Sequence, residues 1–151
     1  MTDVVIRRAT LDDVPAIIAM LADDPLGATR ETPDDLTPYR RAFEAIDSDP
    51  NQLLVVADRN DEVIGTLQLT IIPGLSRQGA TRALVEAVRV AASARGTGLG
   101  TTLMEWSIEE ARARGCSMIQ LTSDKTRTDA HRFYIDRLGF TNSHEGFKLA
   151  L

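Results

Sequence analysis

The residues that most directly suggest chemistry are a glycine-rich run, Arg-Gly-Thr-Gly-Leu-Gly, at positions 95 to 100. This run follows a stretch of β-forming residues, Leu84 to Val90, and precedes a helical pattern from Thr101 to Arg114. A glycine-rich turn that enters a helix presents backbone N–H groups without helical partners, together with the positive end of the helix dipole. We therefore predict that the turn binds a phosphate group of a cofactor.

The spacing of the glycines excludes two familiar nucleotide loops. A dinucleotide fingerprint, Gly-x-Gly-x-x-Gly, needs its third glycine at position 101, where Thr101 stands. A nucleoside-triphosphate loop ends in Gly-Lys-Ser/Thr, whereas Gly100 is followed directly by two threonines. The pattern Arg-Gly-x-Gly-x-Gly instead resembles the pyrophosphate-binding loop of the GNAT superfamily of N-acetyltransferases, which use acetyl-coenzyme A (acetyl-CoA).

This resemblance extends over nearly the whole chain, from Ile6, at the position of the family's first strand, to Phe140 after the last predicted helix. It implies that the pantetheine arm of acetyl-CoA lies along the main chain of the strand before the loop, and that the pyrophosphate lies on the loop itself. The implied cofactor-binding residues are Val88, Arg89, Val90, Arg95, Gly96, Thr97, Gly98, Leu99, Gly100 and Thr101.

Acetylation of an amine needs a group that removes a proton, because an alkylammonium with a pKa of about 10.4 is almost entirely charged at pH 7. Glu86 is the only acidic residue on the strand beside the loop, and we predict that it assists this deprotonation. Period-two alternation would place it on one face with Leu84, Val88 and Val90, in an apolar setting. The alternative is a glutamate at the rim of the sheet, paired with a nearby arginine.

The departing thiolate needs a proton or a hydrogen bond. Tyr134, four residues after Ala130, matches the Ala-x-x-x-Tyr helix of the family, and the resemblance implies that it is the general acid. A phenol has a reference pKa of about 10, above about 8.5 for a thiol, and therefore stays protonated at neutral pH. Simple core packing is the alternative. Arg127 stands where the family often has an asparagine, so we expect the cofactor contact there to differ.

Composition limits the remaining possibilities. The chain has 151 residues, 43% of them hydrophobic, which fits a single domain over residues 1–151. Its net charge of −5 disfavours nucleic-acid binding, and we expect no membrane segment and a cytoplasmic location. A single cysteine, Cys116, excludes an internal disulfide, and neither His131 nor His144 has suitably spaced partners, so we expect no metal.

Hydrophobic periodicity predicts the element order ααβββαβαβ(β). A capping box at Thr10 and Asp13 precedes the first helix, which Pro25 and Gly27 are predicted to end, and a loop follows over Ala28 to Asp35. Thr37 is predicted to cap the second helix, with Pro38 at its first position. Further along, the pattern predicts a hairpin of Leu53 to Ala57 with Val63 to Ile72, a strand from Leu84 to Val90, a strand from Met118 to Thr122, and two short strands within Phe140 to Leu149. Cys116 is expected to be a small residue of a strand.

This order predicts an α/β fold with a central mixed, mostly antiparallel sheet flanked by helices, and the resemblance implies splayed strands at the cofactor site. The predicted function is direct acetyl transfer from acetyl-CoA to a primary amine of a small molecule or peptide. The alternative is a non-catalytic acyl-CoA-binding sensor or regulatory module. The resemblance is also compatible with a homodimer.

Overall fold

The computed structural model describes residues 3–151, which form two compact units, one extending to Gln120 and the other beginning at Leu121. The prediction of a single domain over residues 1–151 stays a prediction. In chain order the elements are β1 (Val4–Arg8), a 3₁₀ turn (Leu11–Asp13), α1 (Val14–Ala22), α2 (Gly27–Arg30), α3 (Thr37–Asp47), β2 (Gln52–Arg59), β3 (Glu62–Ile72), α4 (Ser76–Gly79), β4 (Arg82–Val90), a 3₁₀ turn (Ala92–Ala94), α5 (Leu99–Ala113), β5 (Met118–Leu121), α6 (Thr128–Arg132) and a π-helical turn (Phe133–Arg137).

The sheet has five strands in the order β1-β2-β3-β4-β5, and the first four pair with their neighbours in antiparallel fashion. The predicted hairpin is confirmed, and its turn lies at Asn60 and Asp61. Both turn residues have left-handed backbone, with φ of 52° and 66°, as a turn matched to the twist of a hairpin requires. The predicted fold class, a mixed α/β fold with a mostly antiparallel sheet flanked by helices, is confirmed.

Helices cover both faces of the sheet. On one face α1 and α3 form a core with β2, in which Ile17, Ile18, Phe43 and Val56 are buried. On the other face α5 packs over β3 and β4, where a Cβ at Gly65 would come within 3.0 Å of Leu103 Cδ1. The glycine thus lets the helix approach the sheet closely, which fixes the start of α5 near the end of β4.

An ionic network attaches α1 to the first two strands. Arg7 donates two hydrogen bonds to the Asp13 carboxylate, at 2.7 Å and 3.0 Å, and a third to Asp58 Oδ2 at 3.0 Å. The Thr10 N–H also donates to Asp13 Oδ2 at 2.7 Å, as the predicted capping box requires. These contacts, above all the hydrogen bond from Arg7, lower the pKa of Asp13 and raise that of Arg7.

Replacing Asp13 with asparagine is expected to lower the free energy of unfolding by about 2 kcal/mol at pH 7, because a charge-assisted pair is lost at a buried position. Since folding depresses the pKa of Asp13, its contribution exists above the unfolded value of 3.8 and disappears as the pH falls through the folded value. Urea titrations from pH 7 downwards measure this. The control is Asp12→Asn, at an exposed neighbour; an equal loss in both variants would contradict the prediction.

Four local predictions differ from the structure. Gly27 begins a second short helix, α2, because Asp24 Oδ1 accepts hydrogen bonds from the Leu26 and Gly27 amides. A glycine is required at this position, since a Cβ there would meet Leu21 O at 1.8 Å. The cap of α3 is Leu36, so Thr37 is its first residue. The other two differences lie near β5 and at the chain end.

Cys116 precedes β5 instead of lying in the strand. The two strands predicted within residues 140–149 do not form, and Phe147 and Leu149 are 92% and 84% exposed. Alternating sequence alone does not stabilise short strands, which need a paired neighbour and a covered apolar face. Within the part of the chain that the structure describes, no helix is long and apolar enough to cross a bilayer.

Candidate active site

The glycine-rich loop leads from the 3₁₀ turn after β4 directly into α5. Gly96 and Gly98 have φ of 76° and 86°, a left-handed conformation that favours glycine. A Cβ built on either residue would meet nothing within 4 Å, so open space lies beside the loop. The predicted glycine turn before a helix is therefore confirmed, and the backbone conformation is what requires these two glycines.

Amide groups at the start of α5 are oriented as an anion-binding end. The Thr102 N–H donates to Gly98 O at 3.1 Å, so the amides of Leu99, Gly100 and Thr101 precede this helical hydrogen bond. The Leu99 side chain is 2% exposed, and only its main chain is therefore suited to a ligand. Because α5 has 15 residues, its helix dipole places a partial positive charge at its N-terminus.

A β-bulge interrupts β4 immediately after Glu86. Gln68 on β3 pairs with Glu86, whereas Thr66 pairs with Arg89, so Ala87 and Val88 together oppose Leu67. Ala87 has φ of 53°, which is unusual for a residue with a side chain. The bulge takes Ala87 and Val88 out of one-to-one pairing, whereas Arg89 and Val90 pair again with Thr66 and Gly65. The pantetheine contacts predicted at residues 88–90 stay a prediction.

The bulge corrects two expectations about Glu86. Its one-residue shift moves Val88 and Val90 to the opposite face, and Arg89 now shares the face of Glu86. Glu86 itself is exposed, so the apolar setting expected for its carboxylate is wrong and its placement matches the rim alternative. Directly across from it, Gln68 donates to Gln52 Oε1 at 3.0 Å.

Two acidic residues at the end of α1 contact the predicted cofactor segment. Arg89 Nε lies 3.2 Å from Asp24 Oδ2, and both side chains are largely buried. Arg95 lies 3.3 Å from Asp23 Oδ2, but this pair is more than half exposed. An exposed ion pair contributes little free energy, so Arg95 can exchange Asp23 for a phosphate at small cost. Neither aspartate was predicted as a site residue, since two acids at a helix end carry no specific signal.

Tyr134 belongs to the second unit, in the π-helical turn that continues α6. Its ring contacts Phe133, with centroids 5.3 Å apart, and Phe140, at 5.9 Å in an edge-on arrangement. The Phe140 N–H donates to Tyr134 O at 3.0 Å. The helix predicted around Ala130 and Tyr134 is therefore present, and aromatic packing fixes the plane of the phenol ring.

The remaining candidate groups have structural surroundings. Burial raises the pKa of the Cys116 thiol, although Arg114 opposes the shift, so the thiol is protonated at neutral pH and poorly nucleophilic. His131 Nε2 lies 2.9 Å from Asp124 O, and His144 Nδ1 lies 2.7 Å from Ser143 Oγ. Over residues 3–151, no three His, Cys, Asp or Glu side chains group together as ligands of a metal ion.

The residues that form the bulged strand, the glycine turn and the helix N-terminus lie within a segment that is similar to known proteins. The sequence model of the Acetyltransferase (GNAT) family matches residues 16–140, which include all of these elements. The chain belongs to the GNAT family of acetyltransferases. The glycine loop and the helix that contains Tyr134 both lie within the matched residues.

Relatives of this GNAT chain agree on the reaction class. An aminoalkylphosphonate N-acetyltransferase from Salmonella typhimurium is 33% identical, over 97% of this chain and 90% of the relative. A putative acetyltransferase from Agrobacterium tumefaciens is 26% identical, with a TM-score of 0.83, over 97% of this chain and 99% of the other. This GNAT chain is an N-acetyltransferase.

A third similar protein has a different description. The crystal structure of a transcriptional regulator from Bacillus halodurans is 48% identical to this GNAT chain, with a TM-score of 0.94. The match covers 98% of this chain and 99% of the other. The two proteins therefore share the whole fold.

Replacing Gly98 with alanine is expected to weaken acetyl-CoA binding at least about tenfold, because a Cβ at this φ strains the loop by about 1–2 kcal/mol and displaces the first amides of α5. Titration calorimetry measures the dissociation constant. Gly115→Ala is the matched control, since Gly115 follows the other end of α5, has φ of 78° and is equally open. Equal weakening in both variants would show that the effect is general strain.

Proposed function

We propose that this GNAT protein transfers acetyl directly from acetyl-CoA to a primary amine of a small molecule or peptide in the cytoplasm. The observation that carries the proposal is the left-handed turn at Gly98, which presents the first amides of α5 beside open space at the end of the bulged strand β4. A helix N-terminus of this kind suits a pyrophosphate.

The residues present fit acetyl-CoA at two places. The amides of Leu99, Gly100 and Thr101 would hold the pyrophosphate, with Arg95 adding its charge. The main chain of residues 88–90, just past the bulge, would pair with the pantetheine amides. When bound, acetyl-CoA supplies the activated acetyl thioester. Of these residues, Leu99 and Arg89 take part through the main chain, because their side chains have other contacts.

Glu86 accepts a proton from the substrate ammonium, directly or through water, and so frees the nitrogen lone pair. That nitrogen forms a bond to the acetyl carbon while the carbon–sulfur bond breaks, and a β4 amide stabilises the negative charge that develops on the carbonyl oxygen. Tyr134 donates its proton to the departing sulfur and regains one from the nitrogen through solvent. The products are an N-acetyl amide, a free thiol and one released proton.

Initial-rate kinetics test the proposal. The protein is assayed for thiol release from acetyl-CoA with polyamines, amino acids, peptide N-termini and aminoalkylphosphonates, the last because of the relative from Salmonella. Direct transfer predicts intersecting double-reciprocal plots, since both substrates must be bound together. Parallel plots would indicate an acetylated enzyme and would contradict direct transfer.

A regulatory role is the second candidate, because a protein 48% identical to this chain is described as a transcriptional regulator. A non-catalytic sensor would bind acyl-CoA without releasing thiol. Calorimetric binding of acetyl-CoA, together with no thiol release across the same amine panel, would favour this role over acetyl transfer.

A further inference from the structure

A cavity of about 170 Å³ lies within the first unit, between helices α1 and α3 and strands β2 to β4. Buried side chains, including Ile17, Ile18 and Phe43, form its inner wall. Ala42 on α3 and Ala87 at the bulge also line it and are exposed, so the cavity reaches the surface there. It is therefore a cleft that leads from the bulge of β4 into the core.

The cleft offers an apolar surface. None of the described residues that line it carries a charge, and its three polar side chains already have partners. The Thr66 hydroxyl donates to Val55 O at 2.9 Å, Gln68 donates to Gln52, and the Tyr39 hydroxyl donates to Glu31 while accepting from the Thr32 N–H. A ligand that enters the cleft therefore meets mainly hydrocarbon and engaged polar groups.

One end of the cleft lies beside a carboxylate. Glu86 is the cross-strand neighbour of Gln68 and precedes Ala87, and both of these residues line the cleft. Side chains directly opposite on neighbouring strands lie within about 5.5 Å at Cβ. An ammonium group at this end would meet the exposed carboxylate, while the rest of the molecule points into the apolar interior.

We infer that the acceptor is a primary amine that carries a compact uncharged apolar group, of about the size of a phenyl ring, and that this cleft selects it. Apolar protein cavities of about 150 Å³ hold a benzene molecule, which matches the volume here. A phosphonate dianion in the cleft would be buried without a cation, which is strongly unfavourable. The inference rests on the proposed function and extends it to the class of acceptor.

Two amines with the same two-carbon spacing test it: 2-phenylethylamine and 2-aminoethylphosphonate. The wild-type protein is expected to have a kcat/KM at least about tenfold higher for 2-phenylethylamine than for 2-aminoethylphosphonate, because the phenyl group fills the apolar cleft. The reverse preference would overturn the inference. Thiol release from acetyl-CoA measures both rates under the same conditions.

Ala42→Arg places a cation at the mouth of the cleft on an exposed helical position that accommodates a long side chain. It is expected to shift the ratio of the two kcat/KM values towards the phosphonate by at least about tenfold. Ala45→Arg is the matched control, because Ala45 is exposed on the same helix and does not line the cleft. An equal shift in both variants would overturn the inference, since the shift would then come from the added positive charge and not from its place at the cleft.

Binding separates this inference from the proposed function. If no amine releases thiol, the proposed function fails. Calorimetry with 2-phenylethylamine alone then tests whether the cleft binds an apolar amine. Binding to the wild-type protein and to Ala45→Arg, but at least about tenfold weaker to Ala42→Arg, would support an amine-binding cleft. Absence of binding to the wild-type protein would overturn it.

Discussion

Replacing Glu86 with glutamine is expected to lower kcat/KM for a primary amine about a hundredfold at pH 7, the usual contribution of a positioned base. The variant keeps the shape of the side chain and loses only its ability to accept the proton. As the pH rises towards the amine pKa of about 10, the neutral fraction of the free amine grows and the defect should shrink. Thiol-release rates between pH 6 and pH 9.5 measure this profile.

Glu105→Gln is the control for this variant, because Glu105 is exposed on α5 and the same charge is removed. Its rates and pH profile should match those of the wild-type protein. If Glu86→Gln also kept the wild-type rate and pH profile, Glu86 would have no role as a base and would be only an exposed residue at the rim of the sheet.

Tyr134→Phe is expected to lower kcat about a hundredfold with little change in the KM for acetyl-CoA, because the phenol acts on the leaving thiolate and not in binding. The ring remains, so its packing against Phe133 and Phe140 is kept and the melting temperature should change little. Steady-state kinetics and thermal unfolding measure the two effects.

The control for Tyr134 removes the packing and keeps the hydroxyl. Phe140→Leu shortens a ring that contacts Tyr134 edge-on. It should lower the melting temperature while keeping most of the turnover. Full turnover in Tyr134→Phe would contradict the acid role and would leave aromatic packing as the function of this residue.

The sequence predicted those parts of the fold that short-range chemistry determines. The polar turn around Asn60 and Asp61, between two apolar runs, predicted the hairpin that forms, and the glycines at 96 and 98 lie where the backbone is left-handed. The helix after Gly98 followed from its apolar spacing. In each case the residues that determine the element lie within a few positions of it.

Features that depend on distant contacts were missed. The bulge at Ala87 has no glycine to signal it, and it reverses the faces of Arg89 and Val90 relative to the simple alternation. Likewise, the partners of Asp23 and Asp24 are arginines more than sixty positions along the chain. The apolar cleft combines two helices and three strands, so no single segment could have revealed it.

The central claim, direct acetyl transfer at the loop and bulge, is tested most directly by the rate of thiol release from acetyl-CoA as both substrates are varied. Direct transfer predicts release that depends on the amine, with 2-phenylethylamine as a substrate, and double-reciprocal plots that intersect. A protein that binds acetyl-CoA in calorimetry but releases no thiol with any amine would contradict it.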